Sequence, residues 1–500
     1  MSHEENPEHD AQFEGGDGEE FINPEDVEYV EDEEEGGDVP MDEDEDDEDG
    51  EMREPPEDNS LGHSAHHAAD ASIFSLNLHP SFPNPPLAIS GGEDDHAYIF
   101  CPLPPMPDAS HAAQFPFNSS TFEPILLTGH EDSVVDVKFS ADGEMVATGG
   151  MDGKVRIWRR RRSGAASSMD GQARPEDWRD WEFLTNLATD SEIMWIDWHP
   201  KGPVLAAGCQ DATVWMWQLP SGNTMGVFTS HTGAVNRGQF LPNGKYLITA
   251  AEDCTVCLWN PSQSTQPVLK LSPGTTSQFG NFGGEAEGGG ITALAVAPAS
   301  NLVAIGGSNG AIRIVNLPQG HVVGVLKGHQ KDESVEGLAF MDILGLAGPK
   351  PNGDAPSSTK GLLLASCATD GKAIVWDVGS GTARCEVSHD VSPLAFGAGM
   401  ADKARLTSFL QDVITSVTPH PAPKRHLFTT ASADLKLKTW DARQGQLVAE
   451  HSGHVGTVLD SCVGKSALGW GLDEGEREGD KGGSVVMSAG DDGGVLVWRV

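Results

Sequence analysis

No stretch of about 18 apolar residues occurs anywhere in the chain, so the sequence offers no membrane-spanning helix. No apolar segment opens it either, which argues against an ordinary secretory signal. Cysteine is sparse and odd in number, seven in 500 residues, which suits a reducing cytosol or nucleus better than a disulfide framework. Positive charge is also scarce: 32 Lys and Arg stand against 76 Asp and Glu, for a net charge of -44. Residues 1–58 carry 29 of those acids and a single base, Arg53. A segment so charged and so poor in aliphatics cannot bury enough surface to offset its ordering entropy, so residues 1–58 are expected to be a disordered acidic tail. Residues 59–500 keep a net charge of -16. Both parts would repel phosphates, which disfavours nucleic acid and favours a basic protein partner.

What the chain has is a repeated spacing. A short turn residue precedes the end of an apolar strand by six positions, eight times over. The pairs are Asp94 with Phe100, Asp152 with Trp158, Asp211 with Trp217 and Asp253 with Trp259. They continue with Asn309 and Val315, Asp370 and Trp376, Asp434 and Trp440, and Asp492 and Trp498. The fullest copy, GHEDSVVDVKFSADGEMVATGGMDGKVRIW (129–158), holds three alternating strands and two turns, and WEFLTNLA (181–188) supplies a fourth strand. Units of this kind are blades of a β-propeller. The fold class is therefore all-β: an eight-bladed WD-repeat propeller over residues 59–500. The chain stops after the third strand of its last repeat, so residues near 59–68 are expected to supply that blade's outer strand and close the ring.

Four copies carry a full set of polar residues at matching positions, suited to one buried hydrogen-bond chain. These are His130, Thr148, Asp152 and Trp158; His231, Thr249, Asp253 and Trp259; His329, Ser366, Asp370 and Trp376; and His454, Ser488, Asp492 and Trp498. Their recurrence marks them as structural, and no catalytic residues are expected. Cys254 and Cys257 form a lone Cys-x-x-Cys, read as lying within one strand and pointing to opposite faces, so no metal site is assigned. His63, His66 and His67 lack fixed acidic or thiol partners and are not assigned to metal. No motif calls for a cofactor. The basic run Arg159–Arg162 belongs on the face opposite the Asp turns and is read as a solvated loop, with nuclear import or docking of the acidic tail as alternatives.

The Asp-turn face collects acids of a different kind. Glu93, Glu252 and Asp491 sit just before a turn residue. Glu131, Asp132, Glu192, Asp332, Glu333 and Asp412 lead into first strands, and Glu336 lies just inside one. A rim of one sign focuses field on its centre and steers basic ligands, so these ten are the predicted partner-binding residues. The insertions 271–290 and 389–412 fall on the same face and bear on its shape.

GGEDDHAYIF (91–100), MWIDWHPKGPVLAAG (194–208), VWMWQLPSG (214–222) and GHVVGVL (320–326) are more specific than a generic repeat. With the acidic tail and eight repeats, they resemble the family of the angio-associated migratory cell protein. Its fungal branch is the dedicated chaperone of a large-subunit ribosomal protein of the uL16 type. The resemblance implies a non-catalytic cytoplasmic protein, with the nucleus as a further location, that captures a client's basic N-terminal segment on its acidic face during ribosome assembly. A monomer is expected. The alternatives are a multi-partner signalling or cell-migration scaffold, or a ubiquitin-ligase substrate receptor.

Overall fold

The structure, a computed structural model, describes residues 57–103, 119–161, 178–283, 289–298, 300–346, 359–389, 413–466 and 482–500. Among these, 32 strands form eight four-stranded antiparallel sheets, and no helix is present that could cross a membrane. Seven sheets use strands consecutive in the chain. The eighth joins Gly62–Ala65 to Val458–Lys465, Ser484–Gly490 and Gly494–Arg499, with His63 opposite Leu496 and Ala65 opposite Gly494. Blade 8 is thus completed by the segment that precedes blade 1. The closing strand is shorter than the 59–68 expected.

The innermost strands are Ile73–Leu78, Val134–Phe139, Ile193–Trp198, Arg237–Phe240, Ile291–Val296, Val335–Asp342, Ile414–Pro419 and Val458–Lys465, for blades 1 to 8. Each is a sheet edge, and an edge leaves backbone N–H groups in need of partners. Side chains of the preceding blade supply them. Asp460 accepts from the Leu76 amide at 2.9 Å, Asp136 from Ile196 at 2.8 Å and Asp197 from Phe240 at 2.8 Å. Asn77 takes the Phe139 amide and Gln239 the Val296 amide, each at 3.2 Å. The blades are stitched to one another around the ring, with apolar seams such as Leu76, Val137 and Met487 filling the spaces between. His199 reaches from blade 3 to the Gly244 carbonyl of blade 4 at 2.7 Å, another link of this type.

Candidate functional site

The polar chains run through the blades largely as their spacing predicts. In blade 2, His130 bonds Asp152 at 3.0 Å and Thr148 at 2.7 Å. In blade 6, His329 bonds Asp370 at 3.0 Å and Ser366 at 2.8 Å, and the Trp376 indole donates to Ser366 at 2.9 Å. Blade 4 inserts an extra member: His231 bonds Thr255 at 2.7 Å, whose hydroxyl donates to Asp253 at 2.6 Å, while Trp259 donates to Thr249 at 2.8 Å. In blade 8, His454 meets Asp492 at 2.9 Å and Ser488 at 2.6 Å. Burial works against a charged Asp492, but the His454 bond and charge together with the Val455 and Gly494 amides outweigh it and hold the carboxyl at about 2.

Two of the expected tryptophan links are absent. Trp498 donates to the side chain of Asn59 at 2.8 Å rather than to Ser488, because the segment leading into the closing strand runs past the indole. Trp158 does not bond Thr148; it packs edge-on against Phe183 with centroids 5.9 Å apart, beside the Arg156 guanidinium. Two further chains escaped the sequence reading. His389 of blade 7 bonds Asp434 at 2.9 Å and Thr430 at 2.7 Å, and Trp440 donates to Thr430 at 2.9 Å. His67 serves blade 1, bonding Asp94 at 2.8 Å and Ser90 at 2.9 Å. Neither histidine follows a glycine, so the Gly-His signal did not flag them.

Blade 5 has no histidine in this slot. Phe282, from the 271–290 insertion, fills it. A Cβ on Gly307 would lie 2.6 Å from the Phe282 Cβ, just as one on Gly150 would lie 2.5 Å from the His130 ring. Phe279 and Phe282 are fully buried, Asn309 donates to the Asn281 and Gly283 carbonyls at 3.2 Å, and Arg313 donates to the Gln278 carbonyl at 2.9 Å. This part of the insertion belongs to the blade; residues 284–288 and 390–412 lie outside the described residues. Cys254 sits in the Asp turn with φ 60°, not in the strand, which begins at Val256.

Of the ten predicted binding acids, nine are described and all nine lie on the Asp-turn side; Asp412 is outside the described residues. They are not equivalent. Glu131 pairs with Lys154 at 2.8 Å and Asp332 with Lys331 at 3.4 Å, while Glu333 accepts the Thr369 hydroxyl at 2.6 Å. Glu93, Asp132, Glu192, Glu252, Glu336 and Asp491 have no cation against them among the described residues. Five of those six belong to the arc of blades 8, 1, 2, 3 and 4. On the opposite face the arginine run is neutralised: Arg159 and Arg161 pair with Glu182 at 2.6 and 3.0 Å, and Arg160 with Glu144 at 2.6 Å. Arg162 is outside the described residues.

The rim surrounds a central channel of about 450 Å³. Sequence reasoning missed it, because its residues come a few at a time from all eight innermost strands. Asp136, Asp197 and Asp460 line it together with Lys138 and Arg237. Burial disfavours the Lys138 ammonium, but Asp136 at 3.7 Å and Asp197 at 3.5 Å outweigh it and raise its pKa. Burial pushes the Asp460 carboxyl up to about 6, against the pull of the Leu76 and Ser461 amides. No group of His, Cys, Asp and Glu among the described residues is arranged to hold a metal ion.

Eight four-stranded blades closed by an upstream strand, with His–Ser/Thr–Asp chains in six of them, define a WD-repeat propeller. The "WD domain, G-beta repeat" family matches residues 123–159, 181–218 and 222–260. An uncharacterized WD repeat-containing protein of Schizosaccharomyces pombe is 31% identical over 395 residues, covering 78% of this chain and 79% of the relative. Human angio-associated migratory cell protein is 27% identical over 427 residues, 83% of this chain and 77% of that protein. The chain belongs to the WD-repeat family, as a homologue of the angio-associated migratory cell protein. Among solved structures, Chaetomium thermophilum Sqt1 bound to the N-terminus of the ribosomal protein L10 shares the fold. Its TM-score is 0.63 at 23% identity, over 89% of this chain and 100% of that one.

Proposed function

We propose that this chain is a non-catalytic binding protein that captures a basic segment of a large-subunit ribosomal protein on its Asp-turn face and chaperones it during ribosome assembly. The carrying observation is the set of carboxylates there that no cation among the described residues neutralises: Glu93, Asp132, Glu192, Glu252, Glu336 and Asp491. Unpaired charge of one sign around an opening draws an oppositely charged partner and accepts its guanidinium groups in charge-assisted hydrogen bonds. That Sqt1 binds the N-terminus of L10 supports the choice of client. The protein would work as a cytosolic monomer, without direct contact to nucleic acid.

The test is a titration of the full chain with an N-terminal peptide of L10. Affinity should fall steeply as salt rises through the physiological range, because exposed charges are screened. The double reversal Glu93→Lys with Asp491→Lys should abolish binding and leave the melting temperature unchanged. Replacing Arg159 and Arg161 with Ala, on the other face, should leave binding intact. Normal binding by the reversal, with loss in the arginine variant, would move the site to the opposite face. A scaffold or ligase-receptor role would instead show as capture of several unrelated partners, with no ribosomal protein among nascent chains co-purified during translation.

A further inference from the structure

One position recurs at the start of every innermost strand, the second residue of the strand in seven blades and Asn236, just ahead of the strand, in blade 4; Glu336 of blade 6 apart, the residues there divide into two kinds. In blades 4, 5 and 7 they are polar and have a structural task. Asn236 donates to the Ile291 carbonyl at 2.9 Å, Thr292 to Val335 at 2.7 Å and Thr415 to Val458 at 2.7 Å. Each clamps the start of the next blade. In blades 8, 1, 2 and 3 the same position holds Leu459, Phe74, Val135 and Met194. These side chains can make no such bond, and they are half-buried on the wall of a wet opening rather than sealed in the core. Leaving apolar surface in contact with water is unfavourable in proportion to its area. The ring itself does not require it, since the polar alternative clamps the neighbouring blades.

The apolar arc coincides with the charged one. Four of the cation-free acids, Glu93, Asp132, Glu192 and Asp491, belong to the same four blades. Two exposed large apolar side chains of the Asp-turn face, Met151 at 41% and Val455 at 66%, also fall in this sector. Across the mouth, blade 6 stands opposite blade 2 and presents Glu336 in the equivalent position. Deeper in the channel Lys138 and Arg237 stand among Asp136, Asp197 and Asp460, so among the described residues the floor carries both signs while the mouth carries only acids.

We propose that the arc of Leu459, Phe74, Val135 and Met194 is a specificity pocket that seats one aliphatic or aromatic side chain of a basic client segment. The inference rests on the binding reading of the acidic face and deepens it. Charge would bring the segment to blades 8 to 3, and the pocket would set its register. A client would then be recognised by an apolar residue set among arginines or lysines, rather than by net charge alone.

The experiment uses the full chain and two short peptides of alternating Arg and Ser, one with a central Phe and one with Ser in its place. The Phe peptide should bind on the order of tenfold more tightly, the size expected for partial burial of one large apolar side chain. The paired variant Val135→Thr with Met194→Gln, close in shape to the original and checked for an unchanged melt, should erase that preference while keeping the salt-dependent binding. Equal affinity for both peptides in the unaltered protein would overturn the pocket and leave the electrostatic face standing. So would a preference that persists in the paired variant. Failure of both peptides to bind at low salt would overturn the pocket together with the reading of the face on which it rests.

Discussion

Blades 4 and 5 are neighbours in the ring and solve one packing problem with opposite chemistry. Blade 4 fills the space above its second strand with His231, whose two ring nitrogens are both bonded. Blade 5 fills it with Phe282, an apolar ring delivered by an insertion and tied down through its backbone, with Ser308 donating to the Phe282 carbonyl at 3.2 Å. A buried imidazole needs partners for both nitrogens, which is why His, Ser/Thr and Asp recur together. A phenyl ring needs none, which is why Asn309 is free to hold the insertion instead. What the repeat demands is therefore a filled slot beside a fixed turn. Histidine is one way to fill it.

The comparison can be broken most forcefully at Phe282. Phe282→Ala should empty the slot and cost about 3–5 kcal/mol, the range for deleting a buried aromatic. A chemical denaturation midpoint close to the unaltered protein's would show that the insertion only rests on blade 5. In blade 4 the corresponding loss is smaller. Asp253→Ala leaves Thr255 and the Thr232 amide without an acceptor, costing about 1–3 kcal/mol, and Asp253→Glu should recover little because the turn geometry is fixed. A thermal melt unmoved by Asp253→Ala would mean that the hydrogen-bond chain does not hold this blade.

Smaller effects should separate the two blade types by pH. Blade 8 holds the Asp492 carboxyl at about 2, below its unfolded value near 4, so its contribution is complete above that value and lost as pH falls toward 2. Blade 5 has no such group in the slot. Asp492→Asn should therefore flatten the acid limb of the stability curve between about pH 4 and 2, and Phe282 variants should shift the whole curve without changing that slope. Histidine acts in a higher window. Burial pushes His451 of blade 7 down to about 4, so the unfolded chain takes up its proton first as pH drops below 6.5. Stability present above 6.5 is lost on the way to 4, and His451→Gln should reduce the slope there.

The contrast also shows what a sequence exposes. Eight blades and four polar chains were legible because turn and strand end are local, six residues apart whatever surrounds them. His389 and His67 were not, since Ser388 and His66 stand where glycine marks the other copies. Phe282 was illegible for a different reason: an apolar ring inside a Gly-rich insertion carries no sign of the slot it fills. The acidic rim could be placed from loop order alone, but not which acids already have partners. Glu131 and Lys154 are 23 residues apart, across a whole hairpin. The channel wall was hidden too, because Leu459 and Phe74 meet only after the ring has closed.

That closure binds the protein's integrity to its synthesis. The Trp498 indole and Asn59, hydrogen-bonded in the finished ring, are 439 positions apart in the chain. The strand at 62–65 leaves the ribosome early and has no sheet to join until 494–499 follows. Seven blades can assemble in turn while it waits, but the last seam is a contact of very long range and therefore slow to form. A chain cut short anywhere before that seam would keep two raw sheet edges, open to aggregation and to the machinery that removes unfinished proteins.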